Sequence, residues 1–427
     1  MRLSHSPMGG DAPSLRLALG QNSCAAKPEF IFARTLCIAN QGAAPYSAGV
    51  STDCLQRVES LYVHVPFCAR KCEYCAFYSE AANGETVQRY VAALVRELEL
   101  VAPELKPRTV FFGGGTPSLL SLAQWRTILA AMDRLGLLGA EEWTIECNPA
   151  TVSPDKAALW RSYGVNRVSL GVQSLDEALL DRLGRVHSRD MVFKSFALLR
   201  QAGFDNLNID LMFAIPDQTL DVWRATLREA LALGSEHLSS YEVIYEEDTP
   251  LFAQLQAGQF SVNEELACAM YDELLEQTAA RGFRQYEIAN FAKDQPCRHN
   301  VNYWQGGSYF GLGPSAAGYV RGERTKNWSN TLLYCDRLDQ GRRAIEWREE
   351  LTPVRRAGET AAFGLRMNAG WELGRFREIT GFDLQTEWQS EIDELVRRGW
   401  GKAGSDRFQL TPGGLRFADA AAELFLR

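Results

Sequence analysis

Residues 61–77 read LYVHVPFCARKCEYCAF: a run of β-branched and aromatic residues, a proline, then three cysteines spaced CxxxCxxC at Cys68, Cys72 and Cys75. The run has the composition of a strand, and Pro66 marks its end. A loop leaving that strand can wrap three thiolates around one metal centre, and three is the informative number. An all-cysteine iron–sulfur cube takes four thiolates. With three from the protein, one iron stays open to an outside ligand. A structural zinc site asks for four ligands in a closed tetrahedron, and the nearest further donor, His64, sits on the strand itself.

Working outward, five more short β-rich runs follow: TVFFGG (109–114), EWTIECNP (142–149), RVSLGVQS (167–174), NLNIDLMF (206–213) and HLSSYEVI (237–244). Longer helical patterns separate them. Val87, Val91, Leu94 and Leu98, at steps of four and three, predict an amphipathic helix covering the sheet. Six βα units point to a parallel sheet. Unusual polar residues (the Gly113–Thr116 loop, Glu146, Gln173, Asp210, Tyr241) fall near the C-terminal ends of successive strands. Barrel-type folds assemble their sites there, so the expected fold class is α/β, a partial (β/α)6 barrel over residues 59–290.

After about residue 290 the alternation stops at a Gly-, Asn- and aromatic-rich stretch (NYWQGGSYFGLGPSAAGY), and 291–345 reads as a connecting segment. From 346 to 427 helices, a hairpin around KAGSDRFQLT and a last helix give the order of a winged-helix-like α+β domain. Acids slightly outnumber bases there, which favours a packing or partner module over a DNA reader. Residues 1–58 are rich in Ser, Ala and Gly without periodicity and read as a disordered extension. Asp11 and Glu29 count against an organelle-targeting segment.

Composition sets the outer limits. The 427 residues carry a net charge of −8 and a pI near 5.4, which argues against a broad nucleic-acid surface. No apolar run is long enough to span a membrane. Ten cysteines, three of them within eight residues, fit a reducing cytoplasm better than a secreted disulfide framework.

CxxxCxxC after the first strand of a partial barrel resembles the radical-SAM superfamily. That resemblance implies a 4Fe-4S cluster on Cys68, Cys72 and Cys75, whose open iron chelates S-adenosylmethionine (SAM) and which, once reduced, cleaves its sulfonium. Within the superfamily, Tyr62, Tyr74, Gly113, Gly114, Gly115, Thr116, Glu146, Gln173, Arg185 and Asp210 resemble the SAM-contacting set of the oxygen-independent coproporphyrinogen III oxidase-like branch. His64 and His187 fit the shared pattern, where they read as structural hydrogen-bonding histidines. Oxidases of the branch resemble CxxxCxxCxC, whereas HemW-type haem chaperones have phenylalanine at the last position. Here it is Phe77, a residue that cannot bind a metal or relay a proton.

CRHNVNYW (297–304) is similar to the HNxxYW segment of the HemW type. It implies haem contact by His299, Tyr303 and Trp304, with Cys297 as an alternative thiolate, while a structural role filling the domain junction stays open. Imidazole and tyrosinate are known haem ligands, and an aromatic covers a macrocycle face. The resemblance implies a haem chaperone that passes haem to an acceptor protein and draws electrons from a reductant such as a flavodoxin or ferredoxin. The alternatives are an oxygen-independent coproporphyrinogen III dehydrogenase and a radical-SAM haem-degrading enzyme.

Overall fold

A computed structural model describes residues 57–426. The extension expected over residues 1–58 lies outside the described residues as far as residue 56, and Val58 already opens the first strand. Six parallel strands run in sequence order, β1 (Val58–Val65), β2 (Leu105–Gly114), β3 (Glu142–Cys147), β4 (Arg167–Gln173), β5 (Leu207–Phe213) and β6 (His237–Glu242). No reversal interrupts that order, as a barrel requires and a doubly wound sheet forbids. The main helices between them are α1 (Gly84–Val101), α2 (Leu122–Arg134), α3 (Pro154–Ser162), α4 (Arg189–Gln201) and α5 (Leu220–Ala232). The four apolar positions that foretold α1 are all buried, and Asn83 caps it.

The sheet is larger than the six strands expected. A hairpin of β7 (Arg284–Glu287) and β8 (Asn290–Ala292) adds antiparallel to β6. At the other edge β9 (Phe310–Leu312) lies parallel to β1. The stretch read as a connecting segment therefore supplies strand β9 of the barrel sheet, and β8 runs into its start. Each is only three residues long, too short to show a period. A buried carboxylate fixes the second edge: Glu97 accepts from Gly313 N (2.9 Å), Asn327 Nδ2 (2.9 Å) and Tyr334 Oη (2.7 Å). Burial raises its pKa.

The strand faces explain the architecture. Leu61, Val63, Val65, Phe112, Ile145, Leu170, Ile209 and their alternates share one apolar core with Leu94, Leu98, Trp125 and Ile128 of the helices. Each fully buried aliphatic stabilises the fold by roughly 1.5–3 kcal/mol. The opposite face is polar. Across it Ser60, Thr109 and Glu142 stand in register, as do Tyr62, Phe111, Thr144 and Arg167, and, one layer up, Glu146, Ser169, Asn208 and His237. Barrels of this kind ordinarily fill the lumen with branched apolar side chains. Here the lumen carries hydrogen-bonding groups.

Past β9, an antiparallel sheet of β10 (Ala317–Val320), β11 (Glu323–Asn327) and β12 (Ile345–Glu350) leads to the C-terminal module. That module has helices at Pro353–Gly364, Leu373–Thr380 and Gln389–Arg397 and a small sheet of β13 (Trp371–Glu372), β14 (Gly401–Ala403) and β15 (Arg407–Leu410). This is the expected helix–hairpin–helix order. Its core around Trp371, Phe376, Trp388 and Phe408 also takes in Tyr241, Ile288 and Ala289, so the module packs on the β6–β8 edge. Among the described residues, no helix is long and apolar enough to cross a membrane.

Candidate functional site

The cysteine loop leaves β1 at Pro66 and is tied on both sides by main-chain bonds. Glu73 N donates to Leu183 O (3.0 Å), and Leu251 N donates to Glu73 O (2.9 Å). Cys75 N closes a turn on Cys72 O (3.2 Å). All three thiols are half-buried. Thr116 Oγ1 donates to Cys68 Sγ (3.7 Å), and Arg185 Nη1 donates to Cys72 Sγ (3.5 Å) while its Nη2 donates to Gly171 O (2.6 Å). Burial pushes the Cys68 thiol up. A thiolate there needs the positive charge of a metal centre to offset its desolvation.

Gly114 and Gly115 bring β2 against this loop. Gly114 has φ +104°, and a Cβ on it would fall 2.5 Å from the His64 ring. A Cβ on Gly115 would fall 2.7 Å from Phe67 O. In their place run short bonds from Gly115 N to Val65 O and from Thr116 N to Phe67 O, both 2.8 Å. Gly113 lies against the Glu146 carboxylate. On β4, Gln173 takes φ +66° where the β4–β5 register shifts. Backbone strain in a non-glycine residue costs about 1–3 kcal/mol and gathers at functional sites.

A cleft of about 1240 Å³, counting its open mouth, brings together Cys68, Cys72, Cys75, Tyr74, Phe77, Gly114, Gly115, Thr116, Glu146, Gln173, Arg185 and Asp210. The donor set and the glycine cradle fit a cluster with one open iron beside a ligand with polar ends. Among the described residues no three His, Cys, Asp or Glu side chains converge as ligands of a single ion. A cube takes each thiolate on a different iron, so spread thiols match it. His64 and His187 are structural, as expected. His64 joins Tyr62 Oη (3.0 Å) and Tyr78 O (2.9 Å), and His187 Nε2 joins Val172 O (3.1 Å). Burial lowers them to about 4 and about 3.

Tyr62 lies deeper. It lines a second chamber of about 470 Å³, again counting its open side, with Phe111, Arg167, Asn208, Ser239, His299, Asn300 and Tyr303. Glu146, Ser169, Asp210 and Tyr241 line both spaces. The segment with His299 forms helix α6 (Arg298–Trp304) under the N-terminal end of the barrel, held by Glu142. That carboxylate accepts from the main-chain N–H of Arg298 and His299, both at 2.9 Å, and from Cys297 Sγ (3.3 Å). The haem-type segment and the cysteine loop thus occupy opposite ends of one lumen. Roughly 15 Å of strand, from Thr109 to Gly114, separates them.

His299 is 1% exposed and stacks on Phe111. Its two nitrogens meet Thr109 Oγ1 (2.9 Å) and Tyr303 Oη (2.8 Å). Thr109 donates its own proton to Ser60 Oγ and so accepts from Nδ1, which leaves Nε2 to accept from the Tyr303 hydroxyl. Burial, then the charge of Arg167, lowers the pKa to about 3, so the ring is neutral. Trp304 reaches neither space. It sits beside Phe363 and Met367, with the Arg366 guanidinium 4.7 Å over its ring. Cys297 is buried and pushed up to about 12, a poor ready thiolate.

The sequence reading passed over Glu142, Arg167, Ser169, Asn208 and Ser239. Their signal was the alternation itself: RxSxG on β4, NxD on β5 and HxSxY on β6 put a polar residue at every second position of strands expected to be apolar on both faces.

Residues 62–230 match the family model of the radical SAM superfamily. The chain is 35% identical to the haem chaperone HemW of Bacillus subtilis, over 80% of this chain and 92% of that protein. It is 33% identical to HemW of Escherichia coli, over 86% and 98%. A mouse protein, radical S-adenosyl methionine domain-containing protein 1, mitochondrial, is 38% identical over 61% of this chain and 60% of its own. Among solved structures, coproporphyrinogen III oxidase (HemN) from Escherichia coli superposes with a TM-score of 0.76 at 21% identity, covering 87% of this chain and 90% of that one. This last likeness is one of fold.

Proposed function

The chain belongs to the HemW family of the radical SAM superfamily, and from that premise we propose that it is a haem chaperone, binding haem, a 4Fe-4S cluster and SAM and passing haem to an acceptor protein. The observation that carries this reading is the near full-length likeness to HemW relatives, joined to Phe77 where the oxidase pattern has cysteine. Cys68, Cys72 and Cys75 hold the cluster. Gly113, Gly114, Gly115 and Thr116 face the methionine end of SAM. Tyr62, Tyr74, Phe77, Glu146, Gln173, Arg185 and Asp210 serve the same ligand. When bound, the cluster supplies one electron to the SAM sulfonium, drawn from a reductant such as a flavodoxin or ferredoxin.

Haem contact falls to His299 and Tyr303, whereas Trp304, expected to join them, is buried in the domain junction beside Phe363 and Met367. The neutral imidazole is the form that ligates iron, but its Nε2 is covered by Tyr303 Oη, so coordination requires that hydrogen bond to open. The functional division is a barrel that opens at Val58, a haem segment over 291–345 that also lends β9 to the barrel sheet, and a partner module over 346–427. Seven described cysteines are all free thiols, in keeping with work in the cytoplasm.

Incubation of the reconstituted protein with haem, SAM, reductant and an apo-haemoprotein under anaerobic conditions tests the reading. Appearance of the acceptor's haem spectrum with the ring intact is the expected result. Conversion of added coproporphyrinogen to protoporphyrinogen, or haem bleaching to a linear tetrapyrrole, overturns it.

A further inference from the structure

Arg167 is the first residue of β4, 3% exposed, and its side chain lines the inner chamber. A buried guanidinium is ordinarily paired, because taking its charge from water costs several kcal/mol. This one makes a single long hydrogen bond, to Thr144 Oγ1 at 3.4 Å. Among the described residues it forms no ion pair within 4.0 Å. The nearby carboxylates are committed elsewhere. Asp210 accepts from Ser169 Oγ (2.8 Å) and Asn208 Nδ2 (3.0 Å), and Glu142 accepts from the start of α6. The guanidinium's other N–H groups therefore face the chamber, a fixed fork shaped for a carboxylate.

We propose that the inner chamber is a second binding site, distinct from the cofactor cleft, which takes a carboxylate group on the Arg167 guanidinium. At about 470 Å³ against about 1240 Å³ for the cleft, the chamber holds a side arm or a small acid. Glu146, Asp210 and Tyr241 line both spaces, so the chamber adjoins the cleft. Two sources share this chemistry: a propionate arm of haem, and a free short-chain carboxylate. Only the first rests on the haem reading.

The full chain, as parent, Arg167→Gln and Arg167→Lys, separates them. Haem and haem dimethyl ester, which has no free carboxylate, are titrated against each. Carbon-13 propionate is titrated separately by NMR. With the tetrapyrrole source, the parent prefers haem over its ester by about tenfold or more, the worth of one charge-assisted hydrogen bond. Arg167→Gln abolishes that preference and Arg167→Lys keeps part of it. With the free-acid source, haem and ester bind alike, while propionate saturates the parent and not Arg167→Gln. Should Arg167→Gln fail to fold, the parent's ester preference and propionate saturation are still read against Arg167→Lys. A parent that neither prefers haem nor saturates with propionate overturns the proposal. A parent that saturates with propionate but binds no haem sinks the haem reading and leaves this site standing.

Discussion

The upper and lower halves of the lumen are built by different means. At the mouth, main chain does the shaping: Gly114 and Gly115 lie against the cysteine loop with no room for a Cβ, Gln173 bends into left-handed φ, and neighbouring loops tie Glu73 on both sides. In the chamber below, regular strands place side chains in register, and hydrogen bonds such as Ser239 Oγ to Asn290 Oδ1 (2.7 Å) and His237 Nδ1 to Asn208 Oδ1 (2.6 Å) do the rest. The mouth is sensitive to volume and backbone conformation. The chamber is sensitive to charge and to donor count, since an unsatisfied buried polar group costs about 1–3 kcal/mol.

The largest expected effect is at the mouth. Cys72→Ser should abolish iron and sulfide retention after anaerobic reconstitution while the chain stays folded by circular dichroism. A variant that holds four irons per chain breaks the division, because the cluster would then sit elsewhere.

Acid comes next and reaches both halves. His64, His187 and His299 have folded pKa values of about 4, 3 and 3, and His237 is held well below its usual value, burial being the first cause in each. The unfolded chain therefore takes up protons first as pH falls below about 6.5. Stability present above that pH is lost on the way down towards 4, each histidine adding about 1.4 kcal/mol per pH unit to the slope. Unfolding free energies between about pH 6 and 4.5 for His187→Gln at the mouth and His299→Gln in the chamber should each show one such increment removed. A parent-like slope in either places that ring in solvent.

Gly114→Ala should cost about 2 kcal/mol or more, from left-handed φ and the collision with His64, and should weaken SAM binding measured by equilibrium dialysis. A change below about 0.5 kcal/mol, the range of an ordinary surface substitution, would mean that His64 yields freely and that the mouth is less rigid than its geometry. The smallest effect belongs to Tyr303→Phe, at about 1 kcal/mol for one buried hydrogen bond. It uncovers His299 Nε2, so haem affinity rises if the imidazole ligates iron. Unchanged haem spectra would remove His299 from the haem site.

The same contrast governs how much of each half is legible in the sequence. The mouth announces itself locally: CxxxCxxC and GGGTP are short, unusual and adjacent to strands, and the residues carrying them do meet in one cleft. The six parallel strands are legible because each is six to ten residues long with a helix after it. Strands β7, β8 and β9 are not, since three or four residues carry no period and their place depends on partners such as Glu97, more than two hundred residues distant from Gly313. Arg167 and Glu142 stay hidden for a related reason. A charged residue beginning a strand usually faces water, but Glu142 shares its face with Thr144 and Glu146, and Arg167 shares its face with Ser169, so the pleat turns both inward. His299 and Trp304 share one short motif, yet one helical turn directs the first into the lumen and the second into the domain junction.

Glu142 grips α6 by main-chain N–H groups, and every residue except proline supplies those. The hold is otherwise indifferent to residue identity at 298 and 299. A lineage can exchange the imidazole for another donor and keep the helix where it stands, whereas a change at 142 shifts the platform with its motif intact. Scaffold and chemistry are inherited on separate letters of the sequence, and a homologue that retains HNxxYW but loses the glutamate has kept the words and lost the page they were written on.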